Sequence, residues 1–284
     1  MVYRREPWEN WMANKPEKHD PNDENSGENR DISPLLAGWD YEAGAINVRK
    51  ITGLDGREKL QMRLDLGLLQ MELNGRPDGK RPHGKESYLA YCEQQVTDYK
   101  KQYGDTDGFS LDTDQCQLLR EEAVMYYHRY LSLFILGDYP GVVRDTARQL
   151  RVLDLCAQHA AEEHDRLILE QYRPYIIMMN TRAAASLQFK DDHFQNALNT
   201  VTDGLDSIRE FFIRFGQPDA FTKSNEVKIL KRFARDIRRK LPVDPLDKLQ
   251  TRLTKAVKRE DYEEAARLRD EIEVKKGQRQ RSET

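Results

Sequence analysis

Asp244-Pro245-Leu246-Asp247-Lys248-Leu249, then Leu253, Ala256 and Val257, then Asp261-Tyr262-Glu263-Glu264-Ala265-Ala266-Arg267-Leu268-Arg269-Asp270-Glu271-Ile272 reads as two short amphipathic helices joined by a polar turn. Leu246, Leu249, Leu253 and Val257 recur every three or four residues, which places them on one helix face, and Ala265, Leu268 and Ile272 do the same on the second helix. Between them Lys258-Arg259-Glu260-Asp261 makes a polar corner. Asp261 is placed to cap the second helix by accepting a main-chain N–H bond, and Tyr262 to fold its ring back over the first. Ala265 and Ala266 are small enough for the two axes to approach closely. Lys275 and Lys276, in the last turn, suit the helix dipole. A hairpin of about thirty residues buries little apolar surface and is marginal by itself. The expectation is therefore that its apolar stripe stays wet until a second surface covers it.

The spacing resembles the UVR motif, the helical hairpin shared by the bacterial excision-repair proteins UvrB and UvrC. The matching residues are Leu249, Leu253 and Ala256, then Tyr262, Glu263, Ala265, Ala266, Leu268, Arg269, Asp270 and Ile272. The usual Phe at the turn is Tyr262 here. The resemblance implies a protein-docking module, which pairs in that family with a like hairpin and also occurs in Clp-type chaperones and in adaptors of protein arginine kinases. It implies a partner-binding role for Leu249, Leu253, Ala256, Tyr262, Ala265, Ala266, Leu268, Arg269, Asp270 and Ile272. A UVR-containing protein, a Clp-type chaperone and an arginine kinase are the partners it offers. Self-association is a further expectation, because identical hairpins can pair.

The chain of 284 residues is 33% charged and 38% hydrophobic, with a net charge of −3 and a mean hydropathy of −0.85. That composition suits a polar, mainly helical protein with modest cores. It supplies no global field to attract nucleic acid or an acidic membrane, and no apolar run approaches a membrane span. Cys92, Cys116 and Cys156 are odd in number and far apart, which fits free thiols in a reducing cytoplasm.

Four regions are expected. Residues 1–40 are expected to form a disordered tail, residues 1 to about 34 having the composition of disorder; Trp8 and Trp11 in it could share a transient helix face. Residues 41–82 form a small β element. Apolar residues alternate through Ile46, Val48 and Ile51, and again through Leu60, Met62, Leu64 and Leu66, before the phase slips at Gly67-Leu68 to Leu69, Met71 and Leu73. The slip predicts a bulge or a break between strands there. Residues 83–240 form a helical body, with helices near 86–103, 113–137, 139–163, 165–190, 193–215 and 224–240; Pro174 should kink or interrupt the fourth. Residues 241–284 hold the hairpin and a charged end. Three junctions share a signature, a turn followed by an aromatic and then a small or branched residue three positions on: Asp138-Tyr139 with Val142, His193-Phe194 with Ala197, and Asp261-Tyr262 with Ala265. This is similar to the turn of tetratricopeptide hairpins, but the spacings do not match a 34-residue repeat. The fold class expected is mainly α: stacked antiparallel helical hairpins, a small antiparallel β element near the N-terminus and a C-terminal helical hairpin.

No catalytic signature emerges. His159 and His164 are five apart and diverge on a helix, neither His-Glu-x-x-His nor Glu-x-x-His occurs, and His128 lies among Met125, Tyr126, Tyr127 and Leu131 as a packed histidine. No metal, no cofactor and no enzymatic activity are expected. The rival reading rests on Lys223–Lys240, where eight bases face Glu226 and Asp236. Lys228, Lys231, Arg232, Arg235, Arg238 and Arg239 are its candidate phosphate contacts, with Ile229, Phe233 and Ile237 opposite. That face suits either a nucleic-acid-linked accessory of DNA repair or a solvated surface complementing acidic neighbours, and the second is preferred. The reading favoured overall is a cytoplasmic, non-enzymatic adaptor that docks a partner through its C-terminal hairpin.

Overall fold

A computed structural model of the chain describes residues 31–241 and 245–282. The expectations for residues 1–30, including Trp8 and Trp11, lie outside these. The N-terminal unit ends at Asp40. Its described part holds one helical turn, α1 (Ser33–Leu36), where Asp31 accepts from the Ser33 N–H and hydroxyl at 2.9 and 2.7 Å.

The second unit begins at Tyr41. Its alternating residues form an antiparallel sheet of β1 (Val48–Thr52), β2 (Glu58–Arg63) and β3 (Leu68–Glu72), in that order. The phase slip is a break between strands: residues 64–67 turn, so Leu64 and Leu66 are exposed rather than on the apolar face. Leu60 pairs with Met71 and Met62 with Leu69, which sets the apolar residues of β2 and β3 on one side.

The helices follow as α2 (Tyr88–Tyr103), α3 (Thr113–Ile135), α4 (Tyr139–His159), α5 (Glu163–Leu167), α6 (Arg173–Lys190), α7 (Phe194–Arg214), α8 (Ala220–Lys223), α9 (Asn225–Arg238), α10 (Pro245–Lys258) and α11 (Tyr262–Ser282). The single helix expected over 165–190 is divided. Pro174 sits in the first turn of α6, where its missing N–H costs nothing, and a 3-10 turn at Glu170–Tyr172 precedes it. Caps fix the starts. Ser87 accepts from the Ala90 N–H, and Asp112 and Gln115 form a reciprocal capping box on α3.

Helices α3, α4, α6, α7 and α9 stack in sequence order. The largest core joins the sheet face (Leu60, Met62, Met71) to Leu133, Val142, Met179, Ile208, Leu230 and Ile237. A second core gathers Leu89, Leu111, Leu119, Val152 and Ile176 with all three cysteines. The hairpin α10–α11 has a third, separate one. A buried ionic network ties the sheet to the helices. The Arg129 guanidinium donates to both oxygens of Asp145 and to the carbonyls of Glu72 (2.9 Å) and Gly75 (2.7 Å). Glu122 accepts from the Tyr88 and Leu89 N–H groups at the start of α2 and pairs with Arg148. Both guanidiniums lie over the Tyr126 ring, Arg129 at 4.7 Å and Arg148 at 3.6 Å.

Candidate functional site

The three junctions singled out in the sequence share one backbone. In each, the residue before the cap is left-handed: Gly137 at φ 71°, Asp192 at 59° and Glu260 at 57°. The cap N–H then reaches back five residues, Asp138 to the Leu133 carbonyl (2.9 Å), His193 to Gln188 (2.8 Å) and Asp261 to Ala256 (3.0 Å). This 6→1 bond is the Schellman closure of a helix. The small residues four past the cap, Val142, Ala197 and Ala265, are all buried and donate to the cap carbonyl. Asp138 and Asp261 also cap by side chain, accepting from Gly141 and Glu264.

What differs is the cover. Five residues before each aromatic stands a second apolar side chain, giving the pairs Phe134/Tyr139, Phe189/Phe194 and Val257/Tyr262. In the first two the rings meet, at 5.7 and 5.1 Å, and side chains of the next long helix of the stack lie against them. From α6, Arg182 sits 4.6 Å over Phe134 and Lys190 sits 4.5 Å over Tyr139. From α9, Phe233 packs 6.5 Å from Phe189. The third pair is open: Val257 is 48% and Tyr262 70% exposed. The Tyr262 ring does not fold back over α10 as the sequence reading expected.

The hairpin's seam is closed. Leu249, Ala256, Ala265, Leu268 and Ile272 are buried, with Leu253 packed beside them. The expectation that this stripe stays wet is corrected: small Ala256 and Ala265 bring the axes together, so each helix covers the other. Val257, assigned to the stripe by spacing, faces outward, and Ala256 takes its place. Ala266, Arg269 and Asp270 are exposed. Arg252 of α10 pairs with Glu264 of α11 at 2.7 Å. The site residues expected from the sequence thus divide into an interior that makes the hairpin and an outer set, Tyr262, Ala266, Arg269 and Asp270, that is free to touch something else.

On α9 the buried face is Val227, Leu230, Ala234 and Ile237, with Phe233 half-buried. Ile229, expected on that face, is 38% exposed. Lys228, Lys231, Arg232, Arg235, Arg238 and Arg239 all face outward. Arg239 pairs with Asp236 of its own helix at 3.4 Å; Lys228, Arg232, Arg235 and Arg238 make no ion pair among the described residues. Among the described residues no acidic side chain from another element pairs with this face.

The thiols converge from α2, α3 and α4 into one core, which linear spacing does not reveal. Burial pushes the Cys92 thiol up to about 12, and a hydrogen bond donated to Cys116 together with burial raises the Cys156 thiol. Burial lowers His128 and His159, the latter edge-on to Phe109 at 5.4 Å. Among the described residues no three His, Cys, Asp or Glu side chains could hold a metal ion together, and no helix is long and apolar enough to cross a membrane. A cleft of about 630 Å³ opens between α4, α6 and α7. Its Arg173 is held by Asp154 and Glu170, and its Arg214 by Glu170.

Compared with known families, residues 244–278 match the UvrB/uvrC motif. No curated protein and no solved structure matches the chain.

Proposed function

We propose that this chain acts by binding rather than by catalysis, as an adaptor that holds a partner protein on the turn end of its C-terminal hairpin. The observation that carries this reading is the open Val257/Tyr262 pair. Two earlier turns of the same backbone have side chains of the next long helix of the stack, α6 or α9, set against their pair, and among the described residues the third has no such cover. An exposed aromatic with an aliphatic neighbour, rimmed by charge, has the make-up of an interface anchor. The UvrB/uvrC motif at 244–278 supports the same reading. A UVR-containing protein, a Clp-type chaperone and an arginine kinase remain the partner classes it suggests.

The contact surface is accordingly the outer turn end, with the buried seam as its scaffold. Affinity capture with the full chain should lose its partner on Tyr262→Asp; retention of every partner would remove the proposal. A second reading, a nucleic-acid-linked accessory, has the unpaired cations of α9 in its favour. Its weakness is that the one aromatic within α9, Phe233, packs toward Phe189 and is not free to stack on a base.

A further inference from the structure

The cleft between α4, α6 and α7 has no part in the docking role proposed above. Helices α4 and α7 each pack on α6 and scarcely touch one another, so α6 is the floor and the other two are walls. The volume of about 630 Å³ lies within the range of ligand sites, roughly 300–1,000 Å³. Leu150, Ile177 and Phe211 supply apolar surface, and Ser207 stands midway along the α7 wall. Two polar groups on the floor lack partners. Thr181 is 5% exposed, and its hydroxyl makes no hydrogen bond among the described residues. It lies against Gly204, which has no side chain to cover it, and both line the cleft. A buried hydroxyl left unpaired is costly until a partner reaches it. Asn180 donates through Nδ2 to the Val143 carbonyl (3.2 Å) and the Thr146 hydroxyl (2.8 Å). Its side-chain oxygen accepts no hydrogen bond among the described residues.

The charge of the cleft is one-sided. Its guanidiniums are already neutralised, Arg173 by Asp154 and Glu170 and Arg214 by Glu170. Asp203 and Glu210 line the α7 wall, are exposed and make no ion pair among the described residues. Within 150–154, 173–181 and 200–214 the remaining cations are engaged elsewhere, Arg151 with Glu93 of α2, and Arg209 with Asp206 and the Phe221 ring. Seven residues of helix separate Asp203 from Glu210, about 10 Å along the axis. In a polyproline II segment, residues three apart share a face and lie about 9 Å apart. We infer that this cleft binds an extended peptide of a partner protein that carries basic side chains three residues apart. Their charged ends meet Asp203 and Glu210, while their aliphatic stems lie along Leu150, Ile177 and Phe211. The peptide main chain gives an N–H to the Asn180 oxygen and accepts from the Thr181 hydroxyl. Stacked helical hairpins present concave surfaces of this kind to their ligands. The site is separate from the hairpin turn and does not depend on it.

The test is fluorescence anisotropy of a short labelled peptide repeating lysine, leucine and proline, beside the same peptide with glutamine for lysine, titrated with the full chain. The lysine peptide should bind about tenfold more tightly or better, and the difference should vanish in about 1 M salt. Asp203→Asn combined with Glu210→Gln should remove that difference. Ser207→Trp, which fills the cleft without altering its charge, should abolish binding of both peptides. Glu271→Gln combined with Glu273→Gln, on exposed positions of α11, should bind as wild type does, and so should Tyr262→Asp. Circular dichroism verifies that each variant is folded. Equal affinity of wild type for the two peptides would overturn the inference, as would binding that survives Ser207→Trp. So would a loss in the α11 variant as large as in the Asp203/Glu210 variant, which would mark a general attraction of cations to acidic surface. Self-association of wild type that Ser207→Trp abolishes would place a second copy in the cleft and overturn the peptide assignment. Any of these failures leaves the hairpin's docking role to the Tyr262→Asp capture.

Discussion

Arg129 and Asp145 form a two-pronged ion pair, Nε to Oδ2 at 2.7 Å and Nη2 to Oδ1 at 2.9 Å, with both side chains 1% exposed. The pair joins α3 to α4, and the remaining guanidinium donor holds the Glu72 and Gly75 carbonyls of the turn after β3. Removing the carboxylate strands a buried cation. Asp145→Ala should cost roughly 3–5 kcal/mol in urea unfolding. The paired change Arg129→Met with Asp145→Leu should recover most of that, because it buries no lone charge. A loss under about 1 kcal/mol for Asp145→Ala would show that the network relaxes.

Gly204 lets α7 approach α6. A methyl group there would lie 2.6 Å from Thr181 Cγ2. Gly204→Ala should destabilise by about 1–3 kcal/mol through overpacking, although alanine is the better helix former. Thr181→Ala combined with Gly204→Ala should be more stable than Gly204→Ala alone. Additive losses in the double-mutant cycle would contradict the contact.

The shared turn makes opposite demands at its left-handed position. Gly137 already has the residue that the position favours, whereas Glu260 carries a side chain there at φ 57°. Glu260→Gly should strengthen the hairpin by about 1 kcal/mol, and Gly137→Ala should weaken the body by a similar amount or more. Hydrogen-exchange protection of the Leu268 amide reports the first, and the thermal midpoint the second.

Burial holds His128 below the usual histidine range, with Tyr127 edge-on at 5.4 Å. The folded chain keeps this ring neutral while the unfolded chain protonates it below about pH 6.5. Fewer protons are bound in the folded state, so stability falls as pH drops through that value. His128→Gln should lose less stability between pH 7.5 and 5.5 than wild type, as read from urea midpoints. Equal losses would mean that the ring protonates in place.

Local patterns carried much of this architecture. The hairpin follows from three-and-four spacing, and the shared turn from an aromatic and a small residue at fixed offsets, because every atom involved lies within ten residues. The phase slip at Gly67 marked a strand boundary for the same reason. What spacing could not supply was burial by distant partners. Glu122 and Arg129 occupy apolar-face positions beside Leu119, Ala123 and Tyr130, and that was the available sign of an internal network. Their counter-charges, however, arrive from Arg148 and Asp145 on the next helix. The thiols meet from three elements. Val257 and Ala256 are adjacent, so a periodicity argument could not decide which faced the seam. Nor could the sequence show that Tyr262 stands open while Tyr139 and Phe194 are covered, since the covering residues lie on the next helix of the stack.

The sharpest single comparison sets Tyr262→Asp beside Leu268→Asp in the full chain, following hairpin amide exchange together with partner capture. Leu268 is 2% exposed inside the seam, so its replacement by a charge should erase both protection and capture. Tyr262→Asp should leave protection as in wild type and abolish capture. If Tyr262→Asp keeps its partner while the hairpin stays folded, the turn end is not the docking surface.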